Sequence, residues 1–355
     1  MYSISNPYRG VGLDQNAGIE PGELVVDPRA ACTLFDQCPH RDTTPLWAAD
    51  DLAADLGIAA ISVKDERTRM GLGSFKALGA AFAIAKQAAR AMTDRTVCPV
   101  DQALVGETFV CASAGNHGLS LAAGARIFGA KAVVYLSETV PESFADRLRG
   151  DGAQVVRAGA VYEDSMAAAQ QAADVAGWQL LSDSSWLGYK DPARDVMEGY
   201  LIMTAEVAEQ MTAPPSHVLL QAGVGGLAAA STAAVRHYWG ADPVVIVVEP
   251  EAAPALIESI ERGRPVATNG SVSSMGRLDC KEPSHLALSY LAREADFFVT
   301  LSDQEVAATL PSLDSVGLGT TPSGAAGLSV LFYAQGHFGL NPSSHVLAYL
   351  TETGV

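Results

Sequence analysis

The sequence predicts an α/β protein of two open, mostly parallel sheets flanked by helices. Three observations lead there. The chain has 355 residues, too many for one simple core and enough for two domains. Hydrophobic residues make up 48% and charged residues 18%, a globular balance rather than a disordered one. From residue 108 onward, short apolar runs alternate with helical patterns, the signature of parallel βαβ units.

Residues 1–45 are rich in Pro, Gly and Asp and read as irregular, with Cys38 to Pro45 as loop. Ala59–Lys64 is a short apolar strand and Asp65–Ser74 a loop. Phe75–Arg90 reads as a helix with Leu78, Phe82 and Ala85 on one face. The next run alternates: strand Thr108–Ala112, helix near Asn116–Phe128, strand Ala132–Leu136 and helix Pro141–Arg149. Strand Gln154–Arg157, helix Tyr162–Ala176 and strand Gln179–Leu181 complete it. Pro141 near the first turn starts its helix, since proline lacks only a donor that is unpaired there anyway. A second series follows: helix Arg194–Met211, strand His217–Gln221, helix Gly225–Trp239, strand Val244–Glu249 and helix Ala252–Gly263. Ser323–Ala334 is helical and Val346–Leu350 an apolar strand. The expected division is a large domain of residues 1–76 and 183–355 with a small domain of residues 77–182.

The net charge is −17. Such a surface repels phosphate backbones and anionic bilayers, so neither nucleic acid nor membrane is an expected partner. No stretch is long and apolar enough to span a bilayer. The start MYSISNPYRGVGLDQ lacks the basic and apolar regions of a signal peptide. Cys32, Cys38, Cys98, Cys111 and Cys280 are odd in number and have no CxxC spacing, which fits reduced thiols. Cys32 and Cys38 with His40 have no second pair to complete a metal site. A soluble cytoplasmic protein without metal is expected.

Three strand-to-helix junctions carry the chemistry. Gly71-Leu72-Gly73-Ser74-Phe75-Lys76 places a lysine at the mouth of a sheet, where open α/β folds bind ligands. The alternative is a solvated lysine at a helix start, which the helix dipole disfavours. Ser113-Ala114-Gly115-Asn116-His117-Gly118 opens a helix whose first amides suit a carboxylate, or is a plain cap by Ser113 or Asn116. Gln221-Ala222-Gly223-Val224-Gly225-Gly226-Leu227 lets the backbone approach a phosphate closely. A Rossmann dinucleotide loop competes, with Glu249 imitating its ribose-binding acid, although the glycine spacing differs.

In that order the three loops resemble the fold-type II, tryptophan-synthase-β-like enzymes that use pyridoxal 5′-phosphate (PLP). Within the group the chain is similar to the diaminopropionate ammonia-lyases. The stretches carrying this are Ser74 to Gly79, Asp183 to Tyr189, Leu219 to Gly225, Val248 to Pro250, Met275 to Pro283 and Ser323 to Leu328. The resemblance runs from about residue 40 onward. It implies a cofactor in the cleft between domains, held as a Schiff base on Lys76. Gly223, Val224, Gly225, Gly226 and Leu227 would hold the phosphate and Asn116 the ring hydroxyl. Thr351 would meet the pyridine nitrogen, a neutral partner that suits elimination. Ser113, Ala114, Gly115 and His117 would cradle the substrate carboxylate, though His117 also reads as structural.

The implied reaction is α,β-elimination on a small amino acid, 2,3-diaminopropionate first, giving pyruvate and ammonia. Asp183 or the released Lys76 would take the α-proton. On spacing alone Asp183 is equally a turn or cap residue. Glu282 reads either as pocket lining or as surface. One departure stands out. The family's aspartate associated with the D-isomer is Ala114 here, while the aspartate associated with the L-isomer matches Asp183. An L-preferring enzyme follows. Alternatives are a serine/threonine dehydratase, which Ala114 also resembles, a racemase or a β-replacement enzyme. A non-catalytic PLP binder is the alternative outside enzymes. The resemblance further implies a homodimer.

Overall fold

The structure is a computed structural model and describes residues 1–14, 16–20, 22–93 and 99–354; Cys98 lies outside them. Eleven strands appear among these residues: β1 Tyr2–Ser5, β2 Leu46–Ala48, β3 Ala60–Asp65, β4 Thr108–Ala112, β5 Lys131–Leu136 and β6 Gln154–Arg157. The rest are β7 Gln179–Leu180, β8 His217–Gln221, β9 Val244–Pro250, β10 Phe297–Leu301 and β11 His345–Leu350. Seven form one sheet in the order β1-β10-β9-β8-β11-β3-β2, and four form a second in the order β6-β5-β4-β7. The smaller sheet is wholly parallel. In the larger one only the edge strands β1 and β2 run antiparallel to their neighbours. The expected architecture of two mostly parallel sheets holds.

Both faces of the large sheet are buried, as helical crossovers require. Along β8, Val218 and Leu220 join one apolar cluster while Leu219 joins the other. Along β9, Val245 and Val247 alternate in the same way with Ile246 and Val248. The period of two sends successive side chains to opposite faces, so the strands read as continuous apolar runs. The first cluster continues into the small sheet through Leu78, Phe82, Leu119 and Phe109. Helix Ala80–Thr93 lies between helices Asn116–Ile127 and Asp191–Gln210 and is tied to the latter by Lys86, which pairs with Asp195 and Glu198.

Several elements depart from the sequence reading. Residues 1–45 are not irregular throughout: they hold β1 and a helix, Arg29–Phe35. β1 is specified by its pairing with β10, and the helix has seven residues and a single buried one, Ala31, too little for periodicity to register. The structure adds β2, helix Asp50–Leu56, helix His285–Glu294, β10 and helix Asp303–Ser315, which the sequence patterns do not predict. The last carries a visible signal, the capping box of Ser302 and Glu305.

The expected helix Phe75–Arg90 is broken. Phe75–Leu78 is a single 3₁₀ turn, Gly79 takes φ −90° and ψ −90°, and the α-helix starts at Ala80. A Cβ on Gly79 would lie 2.6 Å from the Tyr200 hydroxyl. Tight packing against helix Asp191–Gln210 thus requires the glycine, and the lysine rides on a short spur.

That spur is anchored by a buried ionic network. Arg69 is fully buried and makes paired 2.7 Å hydrogen bonds to both Glu66 and Glu206, with Thr44 Oγ1 at 2.9 Å. Buried Lys64 lies 2.6 Å from Glu206. Burial opposes the guanidinium charge, but Glu66 and Glu206 outweigh it and hold Arg69 above its ordinary range. Two cations and two carboxylates balance. Arg69→Met would leave Glu66 without its cation and Glu206 with Lys64 alone, at a cost of about 3–5 kcal/mol. Urea denaturation checks this; a loss under about 1 kcal/mol counts against the network as anchor.

Candidate active site

Ser74 caps the lysine turn, its hydroxyl accepting from Lys76 N at 3.2 Å. The turn is stitched to the end of β11. Ser74 pairs with Glu352, Phe75 N donates to Thr351 O at 3.0 Å, and Thr353 N donates to Gly73 O at 3.0 Å. Lys76 therefore sits at the carboxyl edge of the large sheet, where open α/β folds bind ligands. Its amine forms an ion pair with Asp183, and the two side chains keep 23% and 21% exposure. The amine also lies 5.4 Å from the Phe75 ring centre and 5.9 Å from that of Tyr200, within cation–π range. Burial disfavours the ammonium, yet the Asp183 carboxylate prevails and holds Lys76 above the usual lysine range. Burial likewise opposes the charge on Asp183, and Lys76, with His117 behind it, keeps that carboxyl below the usual range. Asp183 is thus neither a cap nor a turn residue alone.

The second loop opens helix Asn116–Ile127, which has no side-chain cap. Ser113 serves the turn instead, its hydroxyl accepting from Gly115 N at 3.3 Å and Gly118 N at 3.1 Å. The first-turn amides of Asn116 and His117 have no intrahelical partner. His117 is buried; its Nε2 meets Leu181 O at 2.8 Å and its Nδ1 has no partner. Burial lowers its pKa, so the neutral ring donates from Nε2 and fixes the end of the segment that carries Asp183. Asn116 Nδ2 donates to Glu352 Oε2 at 2.7 Å. Arg277 Nη1 donates to Ala114 O at 2.9 Å.

The third loop leads from β8 into helix Gly226–Trp239. Gly225 has φ +97°, a left-handed conformation that suits glycine. A Cβ on Gly223 would lie 2.9 Å from Cys280 Sγ, and one on Gly226 would lie 3.7 Å from Asp183 O. The loop therefore abuts the Lys76–Asp183 pair. The helix start has no side-chain cap and no acidic residue in its first turn, which leaves its amides for an anion. Glu249 is not a ribose-binding acid: both its oxygens accept backbone amides, from Leu256 at 2.7 Å and Ile257 at 2.8 Å.

Thr351 is buried and its hydroxyl oxygen accepts from Gln221 Nε2 at 3.3 Å, which leaves its own proton to donate. Glu282 is exposed and lines a cavity of about 410 Å³ with Ser184, Trp186 and His285. Burial pushes the Cys280 thiol up to about 12, so it is inert at neutral pH. Among the described residues no three His, Cys, Asp or Glu side chains are placed to hold a metal, and no helix is long and apolar enough to cross a membrane.

Comparison with known proteins agrees with this geometry. The family described as pyridoxal-phosphate dependent enzyme matches residues 38–352. This chain belongs to that family. The enzyme is 30% identical to diaminopropionate ammonia-lyase of Salmonella typhimurium, over 88% of this chain and 86% of the relative. It is 32% identical to the Escherichia coli diaminopropionate ammonia-lyase, over 87% and 84%. The crystal structure of the Escherichia coli protein in complex with D-serine superposes with a TM-score of 0.86, at 29% identity, covering 99% of this chain and 93% of that one.

The residues fit pyridoxal phosphate. A primary amine reaches the cleft, an uncapped helix start faces it, and the glycine cradle has no room for side chains on the Cys280 side. Sequence reasoning found Lys76, Asp183 and the three loops. It missed Glu352, whose buried carboxylate accepts from Asn116 and from Thr321 Oγ1 at 2.5 Å. It also missed Tyr200, whose buried ring centre lies 5.9 Å from the Lys76 amine, and Arg277. Only the position of Glu352 beside Thr351 offered a signal.

Asp183→Asn removes the anion that sustains the Lys76 ammonium, leaving burial as the main influence. The amine's pKa falls, and each unit gives about tenfold more free amine at a fixed pH below it. Acetic anhydride labelling of Lys76 in apoprotein at pH 8, read by peptide mass spectrometry, accelerates in the variant. Unchanged labelling would show that Asp183 does not govern the amine.

Proposed function

We propose that this enzyme catalyses α,β-elimination on a small amino acid, 2,3-diaminopropionate with the L-isomer preferred, yielding pyruvate and ammonia. The observation that carries the reading is the Lys76–Asp183 ion pair at the meeting of an uncapped glycine loop and the asparagine loop. In this reading Lys76 carries the cofactor. Gly223, Val224, Gly225, Gly226 and Leu227 offer backbone amides to its phosphate, Asn116 faces its ring hydroxyl and Thr351 its pyridine nitrogen. When bound, pyridoxal phosphate supplies the sink for the electron pair left at the α-carbon.

The remaining work falls to the chain. The first-turn amides of Asn116 and His117, with Ser113, Ala114 and Gly115, orient the substrate carboxylate. Asp183 is held ionised and accepts the α-proton; Lys76, once displaced, is the second candidate base. The β-ammonium departs as ammonia, taking the electron pair of its C–N bond and needing no further proton. Overall, diaminopropionate and one water give pyruvate and two ammonia. Ala114 offers no acid or base, which supports selection against the D-isomer. The same alanine supports, as a second reading, a serine or threonine dehydratase in which water leaves.

Residues 77–182 are read as the small domain and residues 1–76 with 183–355 as the large one. The grouping of β4 to β7 in one sheet supports this. The free thiols of Cys32, Cys38, Cys111 and Cys280 support a reducing, cytoplasmic setting. Family resemblance supports a homodimer, which sedimentation would test.

Borohydride reduction of the loaded enzyme should fix the pyridoxyl group on the peptide containing Lys76, and Lys76→Ala should fail to acquire it. A label on another lysine removes the central assignment. Pyruvate release should be fastest with L-diaminopropionate, and Asp183→Asn should lower kcat about 10²–10⁴-fold. Turnover of the D-isomer equal to the L-isomer would overturn the reading of Ala114.

A further inference from the structure

Beside the lysine turn lies a cavity of about 130 Å³ whose polar lining includes Asn116, Arg147, Arg277, Thr321 and Glu352. Two of these five are arginines, in a chain of net charge −17. Arg147 extends from helix Glu142–Gly150 and is exposed, and its guanidinium has no ion pair or hydrogen bond among the described residues. Arg277 arrives from the other side and is also exposed. It spends one N–H on Ala114 O at 2.9 Å, and its Nε lies 3.7 Å from Glu352 Oε2. Its Nη2 has no partner among the described residues.

Glu352 is the one carboxylate lining the cavity, and its oxygens are already taken by Asn116 and Thr321. The cavity therefore keeps a net positive charge. Ala114 gives Arg277 a backbone carbonyl and brings no side-chain charge to it. Guanidinium forks match carboxylates in geometry and charge. A second carboxylate on a substrate meets two opposite charges here.

We infer that Arg277 and Arg147 form a subsite for a second carboxylate, so that the elimination site takes amino acids with an acid group on the β-carbon. This rests on the elimination reading above. The simplest such substrate with a leaving group is 3-hydroxyaspartate. The Cα–H and Cβ–O bonds break, the proton passes to the base and the hydroxyl departs as water. The released enamine tautomerises to the imine, which takes up one water to give oxaloacetate and ammonia. No oxidant or reductant is needed.

The test compares kcat/KM of the PLP-loaded enzyme for L-threo-3-hydroxyaspartate, L-serine and L-diaminopropionate, in wild type, Arg277→Ala and Arg147→Ala. Removing one guanidinium from a half-exposed carboxylate pair should lower the hydroxyaspartate-to-serine ratio about 10- to 100-fold for Arg277 and several-fold for Arg147. Calorimetric titration with unreactive succinate and propionate gives a second readout without turnover. Succinate should bind the wild type more tightly than propionate, and the difference should shrink in Arg277→Ala. If Arg277→Ala depresses both substrates equally, the arginine serves the α-carboxylate or the cofactor and the inference is overturned. It is also overturned if succinate and propionate bind alike. Oxoacid release from none of the three amino acids would sink the elimination reading; the succinate titration would still report on the subsite.

Discussion

The position of Lys76 depends on a salt-bridge network that never touches it. Arg69 clamps Glu66 of its own loop to Glu206 of helix Asp191–Gln210, and Lys64 adds a second cation from β3. Loops that carry functional groups are useful only if something rigid locates them. Here the rigid body is the longest helix, and the link is charge in a dry interior. Such links have strict geometry, because a displaced charge finds neither water nor a partner. Six residues separate Arg69 from Lys76, and the interval includes a non-glycine residue, Met70, at φ 50°. A backbone held in that sparsely populated region persists where its surroundings over-determine it.

The same helix supplies a second constraint. Tyr200 packs where a side chain on Gly79 would stand, and this forces the turn apart from the helix that follows. The lysine is thereby freed from helical periodicity. It projects toward Asp183 rather than along the face set by Leu78 and Phe82. The pair then holds both partners charged, Lys76 sustained by the carboxylate and Asp183 by the amine.

The fold was legible because it is written in local patterns. The apolar run Val218 to Leu220 is buried on both sides and is followed by an alanine-rich helix after a glycine turn. The anion loops were legible for the same reason: each is contiguous in sequence. What stayed hidden depends on long-range contact. Glu352 matters because Asn116 reaches it from far along the chain, and Tyr200 because it meets Gly79. Arg277 matters because its guanidinium lands on the Ala114 carbonyl. None of these pairs shares a segment, so no spacing could announce them. The break at Gly79 was hidden too, since Phe75 to Arg90 has an unbroken amphipathic pattern and only packing against Tyr200 interrupts it. The short edge strands β1 and β2 were lost because pairing, not propensity, defines them.

The stitching of the lysine turn to Thr351 and Thr353 carries a consequence for how the protein is made. Gly73 and Phe75 leave the ribosome well ahead of Thr353 and Thr351, their backbone partners. Until that stretch emerges, the lysine turn lacks its seat. A nascent chain that stalls before Thr351 would hold the glycine loop and still present the amine on an untethered turn. The seating of Lys76 therefore waits on a strand end that lies far along the chain from it.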